Sequence, residues 1–171
     1  DAIVLADGEG KILSWNSAAE RLFGYLAGEV LGESRTMIMP ERYRARHVQS
    51  LARVRTTGDL RLKGPVVTMH GVHKDGREFP IEMSLSSWIS DGQRVHCGIV
   101  RDITARKEAE ARLLRQQIEQ QALLDLIPAM VWYKDAHNRI LRANRRAAAS
   151  IKKTVAEIEG RSTDEFYPDE A

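Results

Sequence analysis

Shifted by 128 positions, the chain aligns with itself. Asp7 to Pro40 lies on Asp135 to Pro168 without a gap, with nine identities in 34 positions. The identities are Asp7/Asp135, Ile12/Ile140, Leu13/Leu141, Asn16/Asn144, Ala19/Ala147, Glu29/Glu157, Gly32/Gly160, Ser34/Ser162 and Pro40/Pro168. Lys11/Arg139 and Val30/Ile158 are conservative. The matches fall at turn and cap positions, so a chain path is being repeated rather than a composition. The repeat divides the sequence into a first domain at 1–104, a connector at 105–127 and the start of a second copy at 128–171. That second copy is too short to enclose a core of its own, so we expect it to be less ordered or to lean on a neighbour. The sequence stops at Asp169-Glu170-Ala171, just after a proline, and reads as a piece excised from a longer chain.

The 26 basic and 24 acidic residues are interspersed and leave a net charge of +2, too balanced for a nucleic-acid surface. No apolar run approaches the ~18 residues of a membrane span. Cys97 is the one cysteine, which excludes an internal disulfide and a cysteine-based metal cluster and makes a reducing cytoplasm the natural setting.

Ile3-Val4-Leu5 and Lys11 to Trp15 read as strands around a turn at Asp7-Gly8-Glu9-Gly10. Ser17-Ala18-Ala19-Glu20 has capping-box spacing, Asn16 is assigned the structural role of capping the same helix, and Gly24 ends it. Leu26 to Leu31 is a second short helix. Pro40 opens a longer one to Arg55, with Val48, Leu51, Ala52 and Val54 on one face and Gly58 as its stop. Leu60 to His73 then reads as a strand, Lys74-Asp75-Gly76-Arg77 as a hairpin turn, and Phe79, Ile81, Met83 and Leu85 as the buried face of the next strand. Asp91-Gly92 turns into a last strand, Val95 to Val100. The expected fold is therefore α+β: a five-stranded antiparallel sheet with helices on one side.

From Thr104 to Ile127 the composition shifts to Ala, Arg, Glu, Gln and Leu. Thr104 can cap this helix, and Arg106/Glu110 and Glu108/Arg112 have i,i+4 spacing. Ala111, Leu114, Ile118 and Ala122 form a narrow stripe that suits a partner helix, as in a coiled coil, or a helix lying on its own domain.

Together these segments resemble the PAS domain family. Ile12 to Tyr25, Glu29-Val30-Leu31-Gly32, Met39-Pro40, Lys74 to Pro80 and Arg101-Asp102-Ile103-Thr104 stand in that family's order, and Ile127 to Asp135 resembles a second PAS start. The resemblance implies a sensory and dimerising module of a bacterial signalling protein. A small ligand or cofactor, when present, sits between the central helix and the sheet. The signal leaves through Asp102, Ile103 and Thr104 into the connector, where Leu114 and Ile118 pair two copies. Output domains in the family are histidine kinases of two-component systems or cyclic-di-GMP enzymes such as diguanylate cyclases and phosphodiesterases, so the parent is expected to be an enzyme. No Gly-rich phosphate loop or nucleophile elbow is visible in this chain, which is itself read as non-catalytic.

The expected pocket residues are His47, Leu51, Met69, Met83, Leu85, Cys97 and Ile99. No cofactor is the first expectation, haem the second and flavin the third. Residues 39–76 resemble rhizobial haem-based oxygen-sensor kinases, and His47 stands at the haem-ligating position, yet Val67 occupies the place of the pocket arginine. A flavin adduct needs an Asn-Cys-Arg motif that Cys97 does not provide, and Trp88 is out of register for a redox flavin. His70, His73 and His96 lack a carboxylate cluster and are not read as a metal site.

Overall fold

A computed structural model describes residues 1–57 and 66–166, in two compact units, Asp1–Glu108 and Ala109–Ala171. In the first unit β1 (Ala2–Asp7), β2 (Ile12–Trp15), β3 (Val67–Val72), β4 (Glu78–Ser90) and β5 (Gln93–Asp102) form one antiparallel sheet in the order β2-β1-β5-β4-β3. Between β2 and β3 come α1 (Ser17–Phe23), α2 (Ala27–Val30), a 3-10 turn (Arg35–Ile38) and α3 (Glu41–Thr57). The expected stop at Gly58 and the first part of the expected strand 60–73 lie outside the described residues.

One core joins the sheet to the helices. Ala2, Val4, Ile12, Trp15, Phe79, Ile81 and Val100 from the strands pack with Ala19, Phe23, Val30 and Ile38. Phe23 lies at its centre, with ring centroids 5.4 Å from Trp15 and 5.6 Å from Phe79. Gly71 permits that packing, because a Cβ there would lie 3.0 Å from Phe23 and 3.2 Å from Phe79.

Capping differs from the expected box. Asn16 is the N-cap of α1, and its Oδ1 accepts from Ala19 N at 2.8 Å and from Ile3 N at 3.0 Å. Glu20, the expected box partner, turns to accept from Ala27 N at 2.8 Å and ties α1 to α2. On α3, Val54 is buried but Val48 and Ala52 are exposed, so the expected apolar face is narrower than its spacing implied. At the end of β5, Asp102 Oδ1 accepts from Thr104 N at 2.7 Å. Thr104 Oγ1 is buried without a partner among the described residues, so Asp102 takes the capping role expected of Thr104.

The second unit carries most of α4 (Thr104–Leu126), with β6 (Trp132–Lys134), β7 (Ile140–Ala143), α5 (Arg145–Ser150), α6 (Val155–Ile158) and a 3-10 turn at Thr163–Glu165. Its β6–β7 turn and the start of α5 repeat hydrogen bonds of the β1–β2 turn and α1. Asn144 Oδ1 accepts from Ala147 N and Val131 N, as Asn16 does from Ala19 N and Ile3 N. Asp135 Oδ1 accepts from the amides of His137 and Arg139, as Asp7 does from Glu9 and Lys11. The bridge Arg139–Ser162 matches Lys11–Ser34.

Ile140, Ala143, Ala147, Ala148 and Ile158 form a small buried cluster. The end of α4 supplies further bonds: Asn144 Nδ2 donates to Leu124 O at 3.2 Å, and Gln121 Nε2 to Ala143 O at 3.0 Å.

Asn16→Ala removes a helix cap and a strand tie together. It is expected to lower unfolding stability by about 1–2 kcal/mol, read as a lower urea midpoint at unchanged slope. An unchanged midpoint would show that the two bonds are replaced by water.

Candidate functional site

Three segments bring polar side chains together beside the β1–β2 turn. The 3-10 turn starts at Ser34, whose Oγ accepts from Thr36 N, and Arg35 N donates to Gly10 O at 2.9 Å. This pins the Arg35 backbone against the turn. The guanidinium Nε then donates to His47 Nε2 on α3 at 2.9 Å. Gly10, at φ +88°, allows the approach: a Cβ would lie 3.0 Å from Leu51 Cδ1 and 3.5 Å from Arg35 Nε.

These residues line an open-sided cavity of about 220 Å3, bounded by the Gly8-Glu9-Gly10 turn, Ser34, Arg35 and Thr36 on one side and His47, Val48, Leu51 and Ala52 on the other. Arg35 is only 8% exposed, and among the described residues no carboxylate lies within ion-pair distance of it. His96 is 1% exposed, with neither ring nitrogen hydrogen-bonded among the described residues. It sits on β5 opposite Ala6.

The electrostatics follow from burial. Desolvation, then the Arg35 charge, then His96, lower His47 to about 4. His47 is therefore neutral near pH 7, with its proton on Nδ1 because Nε2 accepts from Arg35. Burial also lowers His96, helped by Arg35 and Arg94 and opposed by Asp7. Arg35 falls to about 10, mainly through desolvation and against the pull of Asp7, and stays cationic.

The expected pocket residues do not converge. His47 and Leu51 line this cavity. Met69 and Met83 pack against the main core instead, and Leu85, half-buried, follows Met83 on the same face of β4. Cys97 and Ile99 are a correction. The core side of β5 is His96, Gly98 and Val100, opposite Ala6, Val4 and Ala2, whereas Cys97 and Ile99 pair with Leu5 and Ile3 on the outer face. Trp88, 44% exposed, is on that outer face too. With Cys97 and Trp88 there, neither residue weighed for a flavin reaches the interior. Sequence reasoning missed Arg35 and set His96 aside; the signal for His96 was its two-residue spacing from Gly98 and Val100.

Haem does not fit the residues as they stand. His47 offers a neutral imidazole, but its Nε2 is engaged by Arg35. The cavity of about 220 Å3 is also smaller than the ~300–1,000 Å3 of sites for drug-sized ligands. Among the described residues no cluster of His, Cys, Asp and Glu could hold a metal ion, and no helix is long and apolar enough to cross a membrane.

A depressed histidine makes stability pH-dependent. The unfolded imidazole takes its proton near ~6.5, the folded one only near 4. Stability is thus full above the first value and declines as pH falls toward the second. Denaturant unfolding is expected to lose roughly 1–2 kcal/mol between pH 7 and 5, allowing for partial exposure of His47, and His47→Gln is expected to flatten that slope. An equally steep slope in the variant would place the proton uptake elsewhere.

A family model described as PAS domain matches residues 1–105. Sensor protein FixL of Bradyrhizobium diazoefficiens is 38% identical over 119 residues, 70% of this chain and 24% of that protein. Oxygen sensor protein DosP of Escherichia coli is 26% identical over 161 residues, 94% of this chain and 20% of that protein. The chain thus spans a quarter or less of the length of these relatives. Among solved structures, a PAS domain of Desulfitobacterium hafniense has a TM-score of 0.50 at 20% identity, covering 60% of this chain and 92% of that one, a likeness of fold alone. By its sheet, its core and the family match over its first 105 residues, this chain belongs to the PAS domain family.

Proposed function

We propose that the first unit is the sensory domain of a multidomain signalling protein and passes a ligand-dependent change through α4 to an output region. The carrying observation is the continuity of β5 with α4. Ile103, 3% exposed, donates from its amide to Pro80 O at 3.1 Å, and its carbonyl accepts from Lys107 N at 2.9 Å. Arg106 pairs with Glu82 on β4. A shift of the sheet would therefore move the start of α4 as a rigid piece, with Asp102, Ile103 and Thr104 as the joint.

In this reading 105–127 is a signalling helix and 128–171 opens a second PAS unit, supported by the repeated hydrogen bonds. Leu114 and Ile118 are 58% and 61% exposed, an apolar stripe that supports a parallel pairing of two chains. The similarity to proteins named sensor and oxygen sensor supports the sensory reading, and an output of the histidine-kinase or cyclic-di-GMP class in a cytoplasmic setting completes the proposal. Replacing Leu114 and Ile118 together with Asp is expected to weaken self-association about tenfold or more, by light scattering across a dilution series, with the near-ultraviolet circular dichroism of the first unit unchanged. A wild-type chain that stays monomeric at high concentration would end the pairing reading.

Haem at His47 is the second reading. It draws on the 38% identity to Sensor protein FixL and requires Arg35 to release Nε2 and the cavity to widen. Haemin titration distinguishes the readings: no His47-dependent Soret band is expected, and one that disappears in His47→Ala would establish haem.

A further inference from the structure

We propose that the cavity between the β1–β2 turn and α3 binds a short-chain monocarboxylate, its carboxylate on Arg35 and its hydrocarbon end against Val48, Leu51 and Ala52. The proposal deepens the sensory reading and rests on it. It starts from a buried charge that feels Asp7 but makes no ion pair among the described residues. An arginine 8% exposed with no ion pair among the described residues carries a desolvation cost that a neutral histidine offsets only in part. Arg35 spends one N–H on His47, leaving the two-pronged end that matches a carboxylate.

The rest of the lining selects the ligand. Ser34 and Thr36 add hydroxyl groups on the Arg35 side, and His47 Nδ1–H has no acceptor among the described residues. The α3 side is apolar at Val48, Leu51 and Ala52. A wholly polar anion such as phosphate would leave that wall unused, whereas a carboxylate on a short hydrocarbon uses both. Among the described lining residues Glu9 is the one acid, and it disfavours a second negative charge on the ligand. A cavity of about 220 Å3 holds the equivalent of about seven waters, enough for a molecule of four to seven heavy atoms. His96 lies close enough to feel the Arg35 charge, so pairing that charge would change the field on a buried imidazole of the strand that leads into α4.

The test is thermal unfolding of the full chain titrated with sodium butyrate, with sodium chloride, sodium phosphate and neutral butanol as controls, and calorimetric titration for affinity. A saturable rise in Tm with butyrate, absent for all three controls, is expected. Arg35→Gln should weaken butyrate binding at least about tenfold, without lowering the Tm of the ligand-free protein, since it removes a buried unpaired charge. Val48→Asp, at an exposed lining position, should abolish the butyrate shift while the protein stays folded. The proposal is overturned if butyrate acts no differently from chloride, if phosphate gives the same saturable shift, or if Arg35→Gln binds butyrate as wild type does. None of these outcomes involves self-association through α4. Failure here therefore leaves the pairing test standing, and failure of that test leaves this one standing.

Discussion

The antiparallel pairing of β1 with β5 holds the first unit together. These strands come from opposite ends of the unit, in register from Ala2–Val100 to Asp7–Val95. β1 brings β2 and the cap of α1 with it, and β5 brings β4 and then β3, so neither half of the sheet has its central neighbour without this ladder. It is also a contact of long sequence separation, whose closure entropy must be met before any core forms. Asn16 strengthens the joint at small cost, since a single side-chain oxygen accepts from both the first strand and the first helix.

That geometry makes β5 the route outward in the proposed reading. One of its faces carries His96, Gly98 and Val100 toward the helices, and its end becomes α4 through a buried isoleucine and a capping aspartate. In the proposed reading a disturbance of the inner face would reach the helix through covalent continuity and three nearby restraints: the Ile103–Pro80 bond, the Asp102–Thr104 cap and the Arg106–Glu82 pair. Coupling of this kind needs two arrangements of one element rather than a chain of contacts. The cavity lies beside β1, the strand bonded to β5, so a ligand there would act on the same central pair.

The fold was legible because its signals are local. Asp-Gly turns, glycine stops and the alternation of Phe79, Ile81 and Met83 each fix backbone geometry by their own chemistry. The site was not legible for the opposite reason. On β5 apolar residues occupy both faces, with Val95, Cys97 and Ile99 outside and Gly98 and Val100 inside, so hydrophobicity points to the wrong register and His96 looks like the intruder. Arg35 belongs to a 3-10 turn too short for a periodic pattern, and arginine on a loop reads as solvated until the strands fold around it. His47 was legible as a residue type, but its hydrogen-bond partner was not, because that partner is twelve residues away on another element.

The two copies separate scaffold from site. Both keep the aspartate that organises the turn, the capping asparagine, the bridge to serine and the glycine that donates to the isoleucine carbonyl, all functions of the main chain. The second copy keeps Ile12 and Ala19 as Ile140 and Ala147 in its interior but changes three other buried positions. Thr163 stands for Arg35, Ala143 for Trp15, and Ile151 for Phe23. Where Gly10 adopts φ +88°, Asn138 adopts +62°, a substitution that backbone tolerates at a modest cost. The chain path is thus the same with arginine or threonine at this position, so the Arg35 side chain is not what sets the path. A buried charge that the chain path does not require has its part in the local chemistry of the first unit, through its bond to His47 and, in the proposed reading, through a complementary anion.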